Sequence, residues 1–217
     1  MNLTTARSIL VECLSTVTNQ WSTTQQDFAI QGAARYANEQ IGILRKKSTV
    51  NTVASNSVID LTTGEPDFFP TNWRHGRVSS GGTTAFDRLY LRQLDWIRMQ
   101  LEADTGTRQP EYIGFETPAS GLLYPTPDAA YTITFIWIQD IVSWTAGTAS
   151  PDGVTFNIPD RLMMPILQYG GAAILTRSWP RNKSAVPNWS EFQEWVEETK
   201  GTYGSDEGGD VFPPDDD

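Results

Sequence analysis

A stretch near the middle of the chain, Tyr131–Ile138 (YTITFIWI), alternates in the manner of an extended strand. The large residues Tyr131, Ile133, Phe135 and Trp137 share one face, because successive side chains of a strand point to opposite sides. The other face is polar at its start and apolar at its end, which is typical of a strand that becomes covered partway along. The pattern predicts that this strand lies in the core of a sheet.

Helical periodicity dominates the N-terminal part of the chain. Apolar residues recur at helical spacing between residues 3 and 17, where Thr4 or Thr5 could serve as the N-cap. A longer helix is predicted to start near Ser22, where Gln25 completes a capping-box pattern. The basic run at residues 45–47 suits the negative C-terminal end of this helix. Two helices with a short connection predict an antiparallel hairpin.

Helical patterns return in the C-terminal part. The step Ile158-Pro159-Asp160 predicts a helix start, and Pro165, one turn further on, predicts a kink or a missing hydrogen bond. Asn188 is the predicted N-cap of a last helix. A strand is expected up to about Leu91, followed by a short helix.

These patterns predict an α+β fold, a helical bundle with an inserted antiparallel β domain. We expect residues 1–47 and 157–200 to form the bundle from an N-terminal helix hairpin and a C-terminal helix pair. Residues 48–156 would form the β domain, and residues 201–217 an acidic flexible tail.

The charge of the chain argues against a nucleic-acid-binding surface. The formal net charge is −10, and six of the 26 acidic residues fall between residues 206 and 217. Tight DNA binding requires a basic face that neutralises phosphates. Cys13 is the only cysteine, which excludes an internal disulfide and a multi-cysteine zinc site. No apolar run is long enough for a bilayer span, and the first residues do not resemble a secretory signal.

Catalytic patterns are weak. His75 is the only histidine, and a triad with Ser79 or Ser80 and Asp67 lacks a Gly-x-Ser-x-Gly elbow. The carboxylates Glu111 and Glu116 could pair as in a glycosidase, but chance explains them better among 26 acids. We therefore expect no enzyme activity, no catalytic residue, no cofactor and no metal.

Several features favour a protein that contacts other proteins. Tryptophans often anchor interfaces, and five of the eight fall at predicted turns or element ends: Trp21, Trp73, Trp144, Trp179 and Trp189. The acidic tail is either a solvating appendage or a docking peptide that uses Val211 and Phe212 before Pro213-Pro214.

Five phrases of the sequence, in this order and spacing, match a known family. They are DFAIQGAARYANEQIG, SVIDLTTGEPDFF, QPEYIGFE, LLYPTPDAAYTITFIWI and FNIPDRLMMPILQYGGAAIL. In these phrases the chain, over about residues 3 to 200, resembles the head-to-tail connector (neck adaptor) proteins of tailed, podovirus-like bacteriophages. The residues around Trp73 to Asp87 and the VFPP tail have no counterpart in that pattern.

The resemblance implies a structural virion protein of the neck, made in the host bacterial cytoplasm. Such adaptors form a homo-oligomeric ring, commonly a dodecamer, that binds the portal protein and a tail or nozzle protein. DNA passes through the ring during ejection without specific binding, and no membrane is involved. We expect partner contacts in the C-terminal segment, at Trp179, Arg181, Trp189, Phe212 and Pro213, with the portal as their partner.

Two rival functions remain from the residues alone. One is a β-rich receptor or glycan-binding virion module that uses Trp73 and Trp144 as sugar platforms. The other is a hydrolase built on His75.

Overall fold

The computed structural model describes residues 1–14, 21–61, 68, 70–80, 87–117, 120–142, 144–178 and 189–203. The chain folds into two compact units. The helical unit consists of Met1–Leu44 and the described residues from Asp140 on, and the β unit consists of Arg45–Gln139.

The helices of the described residues include one π-helical segment, which joins the fourth α-helix to the fifth without a break. Their bounds are α1 Leu3–Cys13, α2 Thr23–Ile41, α3 Leu94–Ala103, α4 Asp160–Pro165, the π-helical segment Ile166–Gly171, α5 Ala172–Ser178 and α6 Trp189–Tyr203.

The start of α2 confirms the capping-box prediction. Ser22 Oγ accepts a hydrogen bond from the Gln25 N–H, and Gln25 Oε1 accepts one from the Ser22 N–H. The helix ends earlier than predicted, because Gly42 adopts the left-handed conformation that closes helices (φ 71°). The basic run that was predicted to end this helix instead begins a strand. The N-cap of α1 is also not Thr4 or Thr5 but Asn2, whose side chain accepts from the Thr5 N–H.

The core of the helical unit is built on the small-residue face of α2. Ala33, Ala34 and Ala37 are fully buried there, which lets the π-helical segment approach closely. Pro165 lies at the junction where the α-helix changes to π-helix, in keeping with the predicted irregularity. A Cβ on Gly170 would lie 2.5 Å from the buried ring of Phe192.

One buried ion pair lies within the helical unit. The carboxylate of Asp27, which has no exposed surface, accepts hydrogen bonds from Arg7 Nε and Nη2 at 2.7 Å each. It also accepts one from the Gly147 N–H at 2.7 Å. Asp27 thereby connects α1, α2 and the loop that contains Gly147, and three donors satisfy it.

The β unit contains a seven-stranded sheet in the order β1-β7-β3-β4-β5-β6-β2. The strand bounds are β1 Arg45–Asn51, β2 Val58–Asp60, β3 Trp73–Ser80, β4 Asp87–Leu91, β5 Tyr112–Thr117, β6 Ser120–Tyr124 and β7 Tyr131–Ile138. Every neighbouring pair is antiparallel except β4 and β5, which are parallel.

The chain connection explains why this sheet is curled. β1 and β2 occupy opposite edges, yet only residues 52–57 join them. In a flat sheet, six strand spacings of about 4.8 Å would separate the edges by about 29 Å. The seven residue-to-residue steps from Asn51 to Val58 reach at most about 25 Å. The sheet therefore curls into a half-barrel that brings its edges closer.

One face of the half-barrel holds the core of the β unit. Phe68, Trp73, Phe135 and Trp137 pack there with ring centroids 5.3–6.4 Å apart. The Trp137 indole N–H donates to Ser48 Oγ at 2.9 Å, which satisfies its buried polar group. The predicted strand Tyr131–Ile138 and its aromatic face are confirmed, as are the strand up to Leu91 and the helix after it.

The predicted fold class is wrong. The described residues form an α+β fold of five helices, with 160–178 taken as one continuous helix, and a curled seven-stranded half-barrel. It is not a helical bundle with an inserted antiparallel β domain. The parallel pair arises because α3 connects β4 to β5, and such a crossover returns the chain to the same end of the sheet. Alternation along single strands does not report the direction of pairing.

Candidate functional site: an arginine–tyrosine row on the β unit

The described residues among those weighed for catalysis are not assembled into a site. His75 and Ser79 lie four residues apart on β3, a separation of about 13 Å along a strand. Ser79 is buried and directs its hydroxyl to the Thr132 carbonyl. Asp67 lies outside the described residues.

The paired carboxylates are also too far apart. Glu111 and Glu116 are separated by about 16 Å of extended chain, beyond the spacing that glycoside cleavage uses. Glu116 accepts from Arg98 Nη2 at 2.7 Å. Within the described ranges, no group of three or more His, Cys, Asp or Glu residues could hold a metal ion. None of the described helices is long and apolar enough to cross a membrane.

The most distinctive surface of the β unit is a row of tyrosines across three adjacent strands. Tyr90 of β4 pairs in register with Tyr112 of β5, which pairs in register with Tyr124 of β6. The ring centroids are 6.0 Å and 6.3 Å apart along the row. Register-matched side chains share a face of the sheet, so the three rings form one continuous strip.

Arginines accompany each ring of this strip. Arg88 lies over Tyr90 at 5.4 Å, Arg92 over Tyr112 at 5.6 Å, and Arg108 over Tyr124 at 6.0 Å, measured from guanidinium carbon to ring centroid. These distances fall within the range of cation–π attraction. We call these six residues the arginine–tyrosine row.

Helix α3 covers the inner end of the row and leaves its outer end exposed. Trp96 of α3 packs edge-on against Tyr112 and Tyr124, at 5.0 and 5.9 Å between centroids. Tyr124 is consequently buried, whereas Tyr90 is 46% exposed. Aromatic and arginine side chains together are the residue types that dominate protein interfaces.

An open groove of about 780 Å³ adjoins the exposed end of the row. Only two residue pairs link β4 to β5, so β5 continues past the point where β4 ends. The groove opens at that point. Its lining includes Arg92 of the row and Trp96 of α3. The full set of lining residues is Leu91, Arg92, Gln93, Leu94, Trp96 and Phe115.

The inner end of the row contains a hydrogen-bonded carboxylate. Asp104 accepts from the Gly106 N–H at 2.9 Å, from the Tyr124 hydroxyl at 3.1 Å and from Arg108 Nη2 at 3.3 Å. The Gly106 N–H, followed by the Tyr124 hydroxyl, lowers the pKa of Asp104 below its ordinary value. Burial and the bond to Asp104 raise the pKa of Tyr124.

Replacing Tyr124 with Phe is expected to raise the pKa of Asp104 towards its ordinary value, because one hydrogen bond to the carboxylate is lost. A lowered carboxyl pKa contributes stability above the unfolded-state pKa, and this contribution is lost as pH falls through the folded-state pKa. The part of the stability difference that comes from Asp104 should therefore disappear as pH falls through the folded-state pKa of its carboxyl group. Carboxyl ¹³C NMR titration measures the shift. Tyr90→Phe is the control, and equal Asp104 titrations in both variants would contradict the assignment.

Four of the five predicted partner residues fall in parts of the chain that the structure does not describe. Trp179, Arg181, Phe212 and Pro213 lie outside the described residues. Trp189 is half-buried at the start of α6, against Tyr36 and Phe192 at 5.1 and 5.2 Å between centroids. The role of these residues in partner contacts stays a prediction.

The tryptophans proposed as sugar platforms do not form an open surface. Trp73 is only 6% exposed and belongs to the core of the β unit. Trp144 packs edge-on against Phe156 in the helical unit, and its indole N–H is buried without a partner among the described residues. Trp73 is therefore not placed as the exposed sugar platform that the glycan-binding hypothesis requires. The row, by contrast, was missed, although the spacing of Arg88, Tyr90 and Arg92 places them on one face of a strand.

Comparison with known proteins identifies the family of the chain. No curated protein matches the chain. One family model, described as SU10 adaptor protein, matches residues 4–197. This match spans most of the sequence, confirms the resemblance to phage head-to-tail adaptors, and indicates a structural adaptor role in the virion. The chain belongs to the SU10 adaptor protein family.

Proposed function

We propose that this protein is a neck adaptor that forms a homo-oligomeric ring, joins the portal to the tail of a phage particle, and continues the DNA channel between them. The single observation that carries this proposal is the family match over residues 4–197. The protein would then act by binding other proteins and not by catalysis.

A ring of identical subunits needs two different contact surfaces on each copy, because a head-to-tail arrangement is heterologous. The arginine–tyrosine row with its groove is a candidate for one of these surfaces. The exposed end of the row, Arg88, Tyr90 and Arg92, provides positive charge and an aromatic ring, and Leu91 of the groove adds exposed apolar area. The partner residues expected from the sequence, Trp179, Arg181, Trp189, Phe212 and Pro213, are carried into this proposal as contacts with other virion subunits.

The charge of the chain suits a channel that DNA must leave quickly. With a net charge of −10, copies arranged around a lumen would not hold DNA through its phosphates. We propose that DNA passes through the ring without specific binding, and that a dodecamer is the assembled state.

The experiment is to produce phage whose gene for this chain carries a stop codon at Trp21. The proposal predicts DNA-filled heads without tails in electron micrographs, because the portal would lack its connection to the tail. The same phage in a suppressor host is the control. Tailed, infectious particles without the protein would overturn the proposal.

A further inference from the structure

Two arginines of the row have no described carboxylate partner. Arg108 contacts Asp104 at 3.3 Å, and Arg98 on the neighbouring helix contacts Glu116 at 2.7 Å. Arg88 and Arg92 are exposed and lie against aromatic rings, but neither forms an ion pair in the part of the chain that the structure describes. Both guanidinium groups can therefore bind an incoming carboxylate while remaining stacked on their rings.

The surface next to these arginines fits an extended, partly apolar peptide. Leu91, Leu94, Trp96 and Phe115 line the groove, and Arg92 stands at its junction with the row. Polyproline segments dock on aromatic-lined grooves, because their extended shape is already formed before binding. At about 3.1 Å per residue, two such residues span the 6.0 Å between the rings of Tyr90 and Tyr112.

The chain itself carries a peptide with this chemistry. Residues 210–217 read DVFPPDDD, in which Val211 and Phe212 are followed by two prolines and three aspartates, with no basic residue. The segment follows α6, which ends at Tyr203. Residues 204–217 can extend to about 45 Å.

We propose that residues 210–217 of one copy bind the arginine–tyrosine row and groove of a second copy. Phe212 occupies the groove, Pro213-Pro214 lie across the exposed rings, and the aspartates pair with Arg88 and Arg92. A tail and a row are two different surfaces of one chain, so the contact is heterologous and repeats around a ring. This inference rests on the proposed function, because the second copy is a neighbouring subunit of the proposed ring. It assigns Phe212 and Pro213 to contacts between copies, in place of the portal contact expected from the sequence.

Acidic residues around the row favour a peptide over nucleic acid as the occupant. Asp87, Asp95, Asp104 and Glu111 lie on the elements that carry the row or directly beside them. Their negative charges weaken the attraction of this surface for a nucleic acid, because nucleic-acid binding depends on an extended basic surface. A short peptide, by contrast, needs only the two arginines Arg88 and Arg92 to bind its carboxylates.

The first test uses a fluorescent peptide of residues 204–217 and the full chain with its last three aspartates changed to Asn (D215N/D216N/D217N), so that its own tail competes only weakly. The peptide is expected to bind this tail variant. Adding R88E/R92E should weaken binding about tenfold or more, whereas the matched control R98E should leave it unchanged. A peptide with Phe212, Pro213 and Pro214 replaced by Ala, which keeps every acid, should also bind about tenfold more weakly.

The second test distinguishes a neighbouring copy from the same copy. Two full-length variants are mixed, one with a disabled row (R88E/R92E) and one with a neutralised tail (D215N/D216N/D217N). Each alone should sediment as a monomer, while the mixture should form a one-to-one heterodimer, because one intact tail meets one intact row. The heterodimer should dissociate at about 0.5 M NaCl, since charge pairs are screened.

Each alternative outcome has a clear meaning. No peptide binding, or binding insensitive to R88E/R92E, overturns the inference. Binding of a single-stranded oligonucleotide in place of the peptide overturns it in favour of nucleic acid. Peptide binding without a heterodimer overturns the second-copy assignment, because the tail then binds its own row. All three measurements use the purified chain without portal or tail, so their failure is separate from a failure of the adaptor proposal.

Discussion

Replacing Asp27 with Asn is expected to lower the free energy of unfolding by about 3–5 kcal/mol, the range for breaking a buried ion pair on one side. The substitution keeps the size of the side chain but removes its charge. Arg7, whose side chain is only 12% exposed, would then carry an uncompensated charge beside the neutral amide that replaces the carboxylate. Denaturant unfolding followed by circular dichroism measures the loss.

Two further variants isolate the cause of this effect. Asp140→Asn removes the acid of an exposed pair with Arg35, whose nearest N···O distance is 3.6 Å, and should cost less than about 1 kcal/mol. Adding Arg7→Met to the Asp27 variant should recover part of the lost stability, because the buried charge disappears. If the Asp27 and Asp140 variants were equally stable, the buried pair would not have the role assigned to it.

Replacing Gly170 with Ala is expected to destabilise the protein by about 1–3 kcal/mol, the usual cost of overpacking a core. The added methyl group would lie 2.5 Å from Phe192 Cζ and 2.9 Å from Ala33 Cβ. Phe192 cannot move aside readily, because it is fully buried between the rings of Trp189 and Trp195. Thermal and denaturant unfolding would both register the change.

Gly201→Ala is the matched control, since nothing lies within 4 Å of a Cβ placed there on α6. Alanine favours a helix over glycine by about 1 kcal/mol, so this variant should be as stable as the wild type or more stable. Equal destabilisation by both substitutions would show that the close approach at Gly170 has no special importance.

Features of the fold that depend on neighbouring residues were predictable from the sequence. The capping box of Ser22 and Gln25 marked the start of α2, since both hydrogen bonds of that motif form within one turn. The alternation from Tyr131 to Trp137 identified a core strand, because burial on one face of a sheet repeats every second residue.

Features that depend on distant pairing were not predictable. The start of β1 is one example: Arg45–Lys47 were expected at the end of α2 and only the residues from 48 on in the β domain, yet the whole stretch Arg45–Asn51 pairs with β7. Tertiary pairing here overrides local preference. The curl of the sheet and the parallel run of β4 and β5 follow from the strand order, which no single segment encodes.

The candidate site was likewise predictable only in part, where its residues are neighbours in the sequence. Arg88 and Tyr90 alternate along β4 and Arg92 directly follows it at the same two-residue spacing, so that part of the row is visible in the sequence. Tyr112 and Tyr124 join them only through the register of β4, β5 and β6. A surface assembled from three strands and a helix therefore required the structure.

The measurement that tests the adaptor role most directly is the joining of tails to heads in vitro. Tailless heads from the Trp21 stop-codon phage are mixed with isolated tails, with and without the purified chain, and joined particles are counted in electron micrographs. We expect joining only when the chain is present, with a ring of added density between portal and tail. Equal joining with and without the chain would contradict its role as the adaptor.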